Sequence, residues 1–88
     1  MTDLSDKRVV PARADLAASH LQGQVEATAF VEGTEMQVVV PFTALRRMPG
    51  ATAAQDSQLL FGEPFTVYDT ADGWCWGQSG FDRYVGYV

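Results

Sequence analysis

Cys75 and His20 are the one cysteine and the one histidine of the chain, and they are its only candidates for nucleophilic catalysis. A thiol attacks as the thiolate and needs a base within reach, usually oriented by a third group. The surroundings of Cys75 argue against that use. It lies between Trp74 and Trp76 in a stretch that reads as a strand, and thiols in apolar surroundings are inert. One Cys and one His cannot close a structural zinc site, which takes four ligands, so no metal and no other cofactor is expected. The acids Asp69, Asp72 and Asp82 sit at turn positions and do not form a spaced catalytic pair. Binding chemistry remains. Trp74 and Trp76, with Tyr68, Tyr84 and Tyr87 as neighbours, offer stacking faces for an extended peptide or sugar, though the indoles could equally be ribs covering a small β fold. Arg46 and Arg47 carry guanidinium forks that can grip carboxylates, and are otherwise solvated surface charges. The candidate ligand-binding residues are therefore Trp74, Trp76, Tyr84, Arg46 and Arg47, with no catalytic residue.

The elements that must position these groups are short. An 88-residue chain with 47% apolar residues can build one core and no more. Residues Met1 to Arg13 read as an extended arm without a site. Asp15 to Leu21 has good helix formers with Gly23 placed to end them, so a helix of about two turns is expected, with His20 as a packing or helix-end residue. Gln24 to Val31 alternates with period two and predicts a strand. Glu32-Gly33-Thr34-Glu35 would turn it into a second strand, Met36 to Val40, closed by Pro41, as an antiparallel hairpin. A connection over Leu45 to Ser57 is expected to border a groove, and Leu59, Leu60 and Phe61 to return to the core. Three strands follow: Phe65 to Asp69, Trp74 to Gln78 and Tyr84 to Val88. Asp72-Gly73 turns the first into the second and Ser79 to Asp82 the second into the third. Because only one face of the Trp74 to Gly77 stretch can meet a small core, Cys75 and Gly77 are expected inside and both Trp outside.

Charge and hydropathy exclude whole classes of partner. The net charge of -5 arises from 11 acids against 6 bases, and no basic run exceeds Arg46-Arg47. Phosphate backbones are held by clustered Lys and Arg, so nucleic acid is not an expected partner. No apolar run approaches the length of a membrane span. The stretch Met1 to Asp6 is acidic and polar where a secretory leader would be basic and then apolar; the product is expected in the cytoplasm or associated with the cell wall. The stop at Val88 inside a strand reads as an excised fragment.

Several of these residues resemble the bacterial Src-homology-3-like (SH3-like) domain. Leu45-Arg46 with Pro49 is similar to that family's first loop, Gly62 to its turn glycine and Asp72-Gly73-Trp74 to its Gly-Trp hairpin. Tyr84-Val85-Gly86-Tyr87-Val88 resembles its closing strand. One departure is Arg83, where the family usually has Gly. Asp15 to Leu21, Val25-Glu26-Ala27 and Leu59 to Glu63 resemble the amino-terminal region of NlpC-type cysteine peptidases, in which SH3-like domains precede a papain-like domain that cleaves γ-D-glutamyl bonds of peptidoglycan peptides. The resemblance implies a mainly β fold: a small SH3-like barrel over residues 36–88, with an arm, a short helix and an added strand over residues 1–35. It implies a non-catalytic targeting or gating role. The partners would be a peptidoglycan-derived peptide and a carboxy-terminal cysteine peptidase domain absent from this chain. The alternative is a protein-interaction module packing on a neighbouring domain or a Pro-rich partner.

Overall fold

Local turn chemistry dictates the longest hairpin. Strands β6 (Pro64–Ala71) and β7 (Trp74–Ser79) are rich in Thr, Val and aromatic residues. Between them Asp72 and Gly73 take φ of 54° and 80°, the two left-handed conformations of a type I′ turn, whose twist suits a two-residue loop. In this computed structural model, which describes residues 6–88, six further strands complete the chain: β1 (Leu16–Ala18), β2 (Ala29–Val31), β3 (Thr34–Gln37), β4 (Phe42–Arg46), β5 (Gln55–Leu60) and β8 (Val85–Tyr87). The start of the arm, Met1 to Ser5, on which the leader reading chiefly rests, lies outside the described residues.

Strands β1 and β2 form a two-stranded parallel sheet, and the others form one six-stranded sheet in the order β3-β6-β7-β8-β4-β5. The described sheet is open, with β3 and β5 as its edges, and this corrects the expected closed barrel. Its ends meet at one corner only. There Val38 N–H donates to Glu63 C=O at 3.1 Å, Gly62 N–H to Val38 C=O at 2.9 Å and Phe61 N–H to Pro41 C=O at 3.0 Å. The curl encloses a core of Val38, Leu45, Leu59, Phe65 and Val67, with Cys75, Tyr84 and Val88 packed against it. Gly77 lets the curl tighten. A Cβ there would run into the Thr66 carbonyl oxygen and come within 2.8 Å of the Phe65 ring, a backbone clash that no rotamer relieves.

Three further expectations fail for identifiable reasons. Asp15 to Leu21 forms β1 and a 3₁₀ turn at Ser19–Leu21, not an α-helix. Ala17 and Ala18 are both fully buried, and Ala18 N–H donates to Pro11 C=O at 3.0 Å. Protein on both sides of the segment favours an extended chain, and two helical turns have little stability of their own. His20 is exposed on that 3₁₀ turn. The expected hairpin between Gln24 to Val31 and Met36 to Val40 does not form: only Ala29–Val31 is a strand, paired with β1, while β3 pairs with β6. Alternation reveals an extended chain but not its neighbour. Leu59 reaches the core, whereas Leu60, the next residue of the strand, faces the opposite way and is exposed, as is Phe61 in the turn after β5.

Candidate functional site

The arm supplies what the sequence reading left out. Val10 and Pro11 are buried, and Val10 packs with Ala18 and Leu21 in a second small core that Tyr68 and Val25 adjoin. Gln78, itself buried, ties this arm down: its Nε2 donates to Val9 C=O at 3.1 Å and to Arg83 C=O at 2.8 Å. Anchored in this way, the arm brings Arg13 across the outer face of β7. The Arg13 guanidinium stands 4.7 Å from the centre of the Trp76 ring. It donates to Asp15 at 3.0 and 2.9 Å, to Asp69 at 2.9 Å and to the Tyr87 hydroxyl at 3.3 Å. Burial works against its charge, but the hydrogen bonds it donates to Asp15, Asp69 and Tyr87 outweigh that and hold its pKa above the ordinary arginine value. The same contact holds the Asp15 carboxyl below its usual range.

Asp69 reaches Arg13 because β6 carries a bulge. The β6 to β7 register pairs Val67 with Gly77 but Asp69 with Trp76, so Tyr68 is one residue extra. In a regular strand Asp69 would share the inward face of Val67. The bulge turns it outward beside Trp76, and Tyr68 settles against the same indole, ring centres 5.9 Å apart and tilted by 56°. Burial pushes the Tyr68 phenol up from its usual pKa, with Arg83 acting weakly the other way.

Trp76 is consequently 4% exposed, which corrects the expectation that both indoles face outward to solvent. It does lie on the outer face, but the arm covers it. Trp74 is half-buried and borders a hollow of about 180 Å³ with Pro49, Asp72, Arg13, Trp76 and Tyr87. On the other side of Arg13 lies a larger cleft of about 410 Å³, whose walls include Lys7, Arg8, Arg13, Arg47, Trp76 and Tyr87. Four of the cations of a net acidic chain thus converge on one aromatic-floored cleft. Three of them are already engaged. Arg47 forks onto Asp56 at 2.6 and 3.3 Å and Arg8 onto Asp6 at 3.1 Å, so both pKa values are held up by those carboxylates. No hydrogen bond or ion pair involves the Lys7 ammonium among the described residues.

Of the residues proposed from sequence, Trp76 and Arg47 share this cleft and Trp74 adjoins it through the hollow. Arg46 does not join them: its Nη1 donates to Ala53 C=O at 2.8 Å, pinning the loop between β4 and β5. Tyr84 packs against the core and lies beneath the Arg8 guanidinium at 5.5 Å. Cys75 is half-buried against the core, and no hydrogen bond joins it to His20. No group of His, Cys, Asp or Glu able to hold a metal is found among the described residues, and no described helix is long and apolar enough to cross a membrane. Sequence reasoning missed Lys7, Arg8, Arg13 and Asp69 as site residues. Their signal was available: Lys7, Arg8 and Arg13 place much of an acidic chain's positive charge in its first few residues.

The family comparison matches residues 45–88, from the end of β4 through β8, to the bacterial dipeptidyl-peptidase Sh3 domain. The chain belongs to that family. No curated protein and no solved structure matches it. An Sh3 domain of this type is non-catalytic, and the family's association with peptidases points to an accessory role. The matched span contains Arg47, Trp74, Trp76 and Tyr87, whereas Lys7, Arg8 and Arg13 lie ahead of it. The cleft is therefore built where a leading arm folds onto the Sh3 domain.

Proposed function

We propose that this Sh3 domain is the substrate-targeting or gating module of a peptidoglycan-peptide endopeptidase of the NlpC type. Cutting would fall to a separate catalytic cysteine peptidase domain. The observation that carries the reading is the cleft in which Lys7, Arg8, Arg13 and Arg47 surround Trp76 and Tyr87. Peptidoglycan peptides are extended and bear carboxylates; guanidinium forks and an ammonium suit those groups, and aromatic walls suit the chain between them. Lys7 is placed to meet a first carboxylate, and the exposed guanidinium of Arg47 can turn from Asp56 to a second.

Isothermal titration with a γ-D-glutamate-containing peptidoglycan tripeptide tests this. Binding is expected, weakened about tenfold by Lys7→Ala or Arg47→Ala, since each removes a charge-assisted contact of about 1.4 kcal/mol. Absence of binding at millimolar peptide would remove the support. A second reading, a module that packs on a neighbouring domain or a Pro-rich partner without touching substrate, draws support from the burial of Trp76. An indole sealed by its own arm offers no stacking face to a substrate peptide until the arm moves. Binding of a Pro-rich peptide, with no response to the tripeptide, would favour that reading.

A further inference from the structure

The curled sheet leaves its core open along one side. Between the β3 edge and the end of β5 runs a groove of about 240 Å³, bordered by Met36, Val39, Val40, Leu59, Phe65 and Val88. Around it the usual rule of apolar residues inside is reversed. Val39 is 80% exposed, Phe61 68% and Phe42 64%, and Met36, Val40 and Leu60 are also exposed. These side chains are neighbours. Phe42 faces Leu60 in the β4 to β5 register, and the Val38, Pro41, Phe61 and Gly62 backbones are stitched together at the corner already described. Scattered surface Leu or Phe residues are ordinary, but Met36, Val39 and Val40 at the mouth of the groove, continued by Phe61 in the adjoining turn and by Phe42 and Leu60 on the outward face of β4 and β5, form a patch that marks an interaction surface.

Charge states what kind of surface fits there. No Lys or Arg occurs from Gln24 to Leu45 or from Ser57 to Asp82, the two stretches that build this corner. The charged residues beside it are acids: Glu35 precedes Met36 on β3, and Glu63 follows Phe61-Gly62, its carboxylate accepting the Leu60 N–H at 2.6 Å. All six cations stand elsewhere, at the arm, at Arg46-Arg47 and at Arg83. A second copy would set one acidic rim against another, and an anionic lipid surface would be repelled likewise. Like charges brought together at an interface cost affinity, and opposite ones favour encounter and register.

We infer that this corner docks a protein partner whose own surface is apolar at the centre and rimmed with Lys or Arg. The partner closes the side of the sheet that the chain leaves open, covering Met36, Val39 and Val40, and extends over the neighbouring Phe61. Choosing a protein rests on the accessory role proposed above. The groove lies on the core side of the sheet and shares no lining residue with the Trp76 cleft, so loss of peptide binding there and loss of docking here are separate results.

The test uses two synthetic amphipathic helices, one of Leu and Lys and one of Leu and Glu, titrated into the isotopically labelled chain and followed by amide chemical shifts. The Leu/Lys helix is expected to bind, with shifts confined to Met36–Phe42 and Leu60–Glu63. The Leu/Glu helix is expected to bind at least tenfold more weakly. Glu35→Lys should weaken the Leu/Lys helix about tenfold, and Phe61→Ser should do the same with an unchanged melting temperature, because Phe61 contributes little to the core. Equal binding of both helices, no binding, or shifts centred on Trp76 would overturn the inference. So would sedimentation showing that the chain dimerises through this corner.

Discussion

Replacing Arg13 by Ala tests the central contact of the site. Four interactions are lost at once, with Asp15, Asp69, the Tyr87 hydroxyl and the Trp76 ring, and the sizes of the main ones follow from their surroundings. The pair with Asp15 is solvent-exposed on the carboxylate side and contributes little. The pair with Asp69, whose side chain is 34% exposed against 21% for Arg13, is partly shielded. Discounted for solvent, it contributes about 1 kcal/mol as a charge-assisted hydrogen bond. The stacking on Trp76 at 4.7 Å adds about 1 kcal/mol in a half-desolvated position. Arg13→Ala should therefore cost about 2 to 3 kcal/mol, which lowers the melting temperature of a domain this size by roughly 10 to 15 °C. Urea denaturation followed by tryptophan fluorescence gives both readouts. The midpoint should fall with an unchanged slope, and native emission should shift to the red as water reaches Trp76. Arg13→Lys should recover no more than about half of the loss, because an ammonium cannot fork onto Asp69 and Tyr87 together. A loss below about 0.5 kcal/mol, or unaltered native emission, would refute the assignment of Arg13 as the cover of Trp76.

The acid limb of stability should depend on the same residue. Asp15 has its pKa depressed in the folded chain, chiefly by its hydrogen bond from Arg13, below an ordinary value of 3.8. Its contribution is present above about pH 4 and is lost as pH falls through the lowered value; in Arg13→Ala the acid decline should be shallower, as pH-dependent melts would show. Gly77→Ala should destabilise by about 3 kcal/mol or prevent folding, since the added methyl meets the Thr66 backbone; circular dichroism melts decide it. Arg83 holds a φ of 68°, a left-handed conformation costly for any residue with a Cβ. Arg83→Gly should accordingly raise stability by about 0.5 to 1 kcal/mol, read as a melting-temperature gain of a few degrees. Leu45→Ala, which empties a fully buried position, should cost about 2 to 5 kcal/mol in a urea titration.

What the sequence disclosed was local, and what it hid was long-range. The β6 to β7 hairpin was legible because Asp72-Gly73 carries its own turn geometry, and Cys75 on the core side followed from alternation alone. Arg83 stood out as a departure from Gly, and its positive φ explains why Gly is the usual occupant. The burial of Trp76 was not legible, because the residue that covers it, Arg13, stands more than sixty positions earlier and no periodicity links them. Asp69 was hidden for another reason. Its outward aim depends on a bulge at Tyr68, and one extra residue in a strand leaves no mark in an alternating pattern. The failure of the helix over Asp15 to Leu21 belongs with these, since the arm and β2 decide its conformation from outside the segment.

One seam in the large sheet has its own consequence. Strands β4 and β8 share a single register pair, Arg46 with Tyr87, whereas β6 and β7 are paired along six. The ladder is thinnest there, so the unit from Phe42 to Leu60 can detach with the fewest broken backbone bonds while the β3-β6-β7-β8 part stays whole. Amide protons of Phe42 to Arg46 should therefore exchange through subglobal opening, and those of β6 and β7 only through complete unfolding. Tyr87, which also receives a hydrogen bond from Arg13 at 3.3 Å, stands at that joint. Occupancy of the cleft, felt through Arg47 and Tyr87, would then slow exchange along the rest of the β4 to β5 hairpin, beyond the residues the ligand meets.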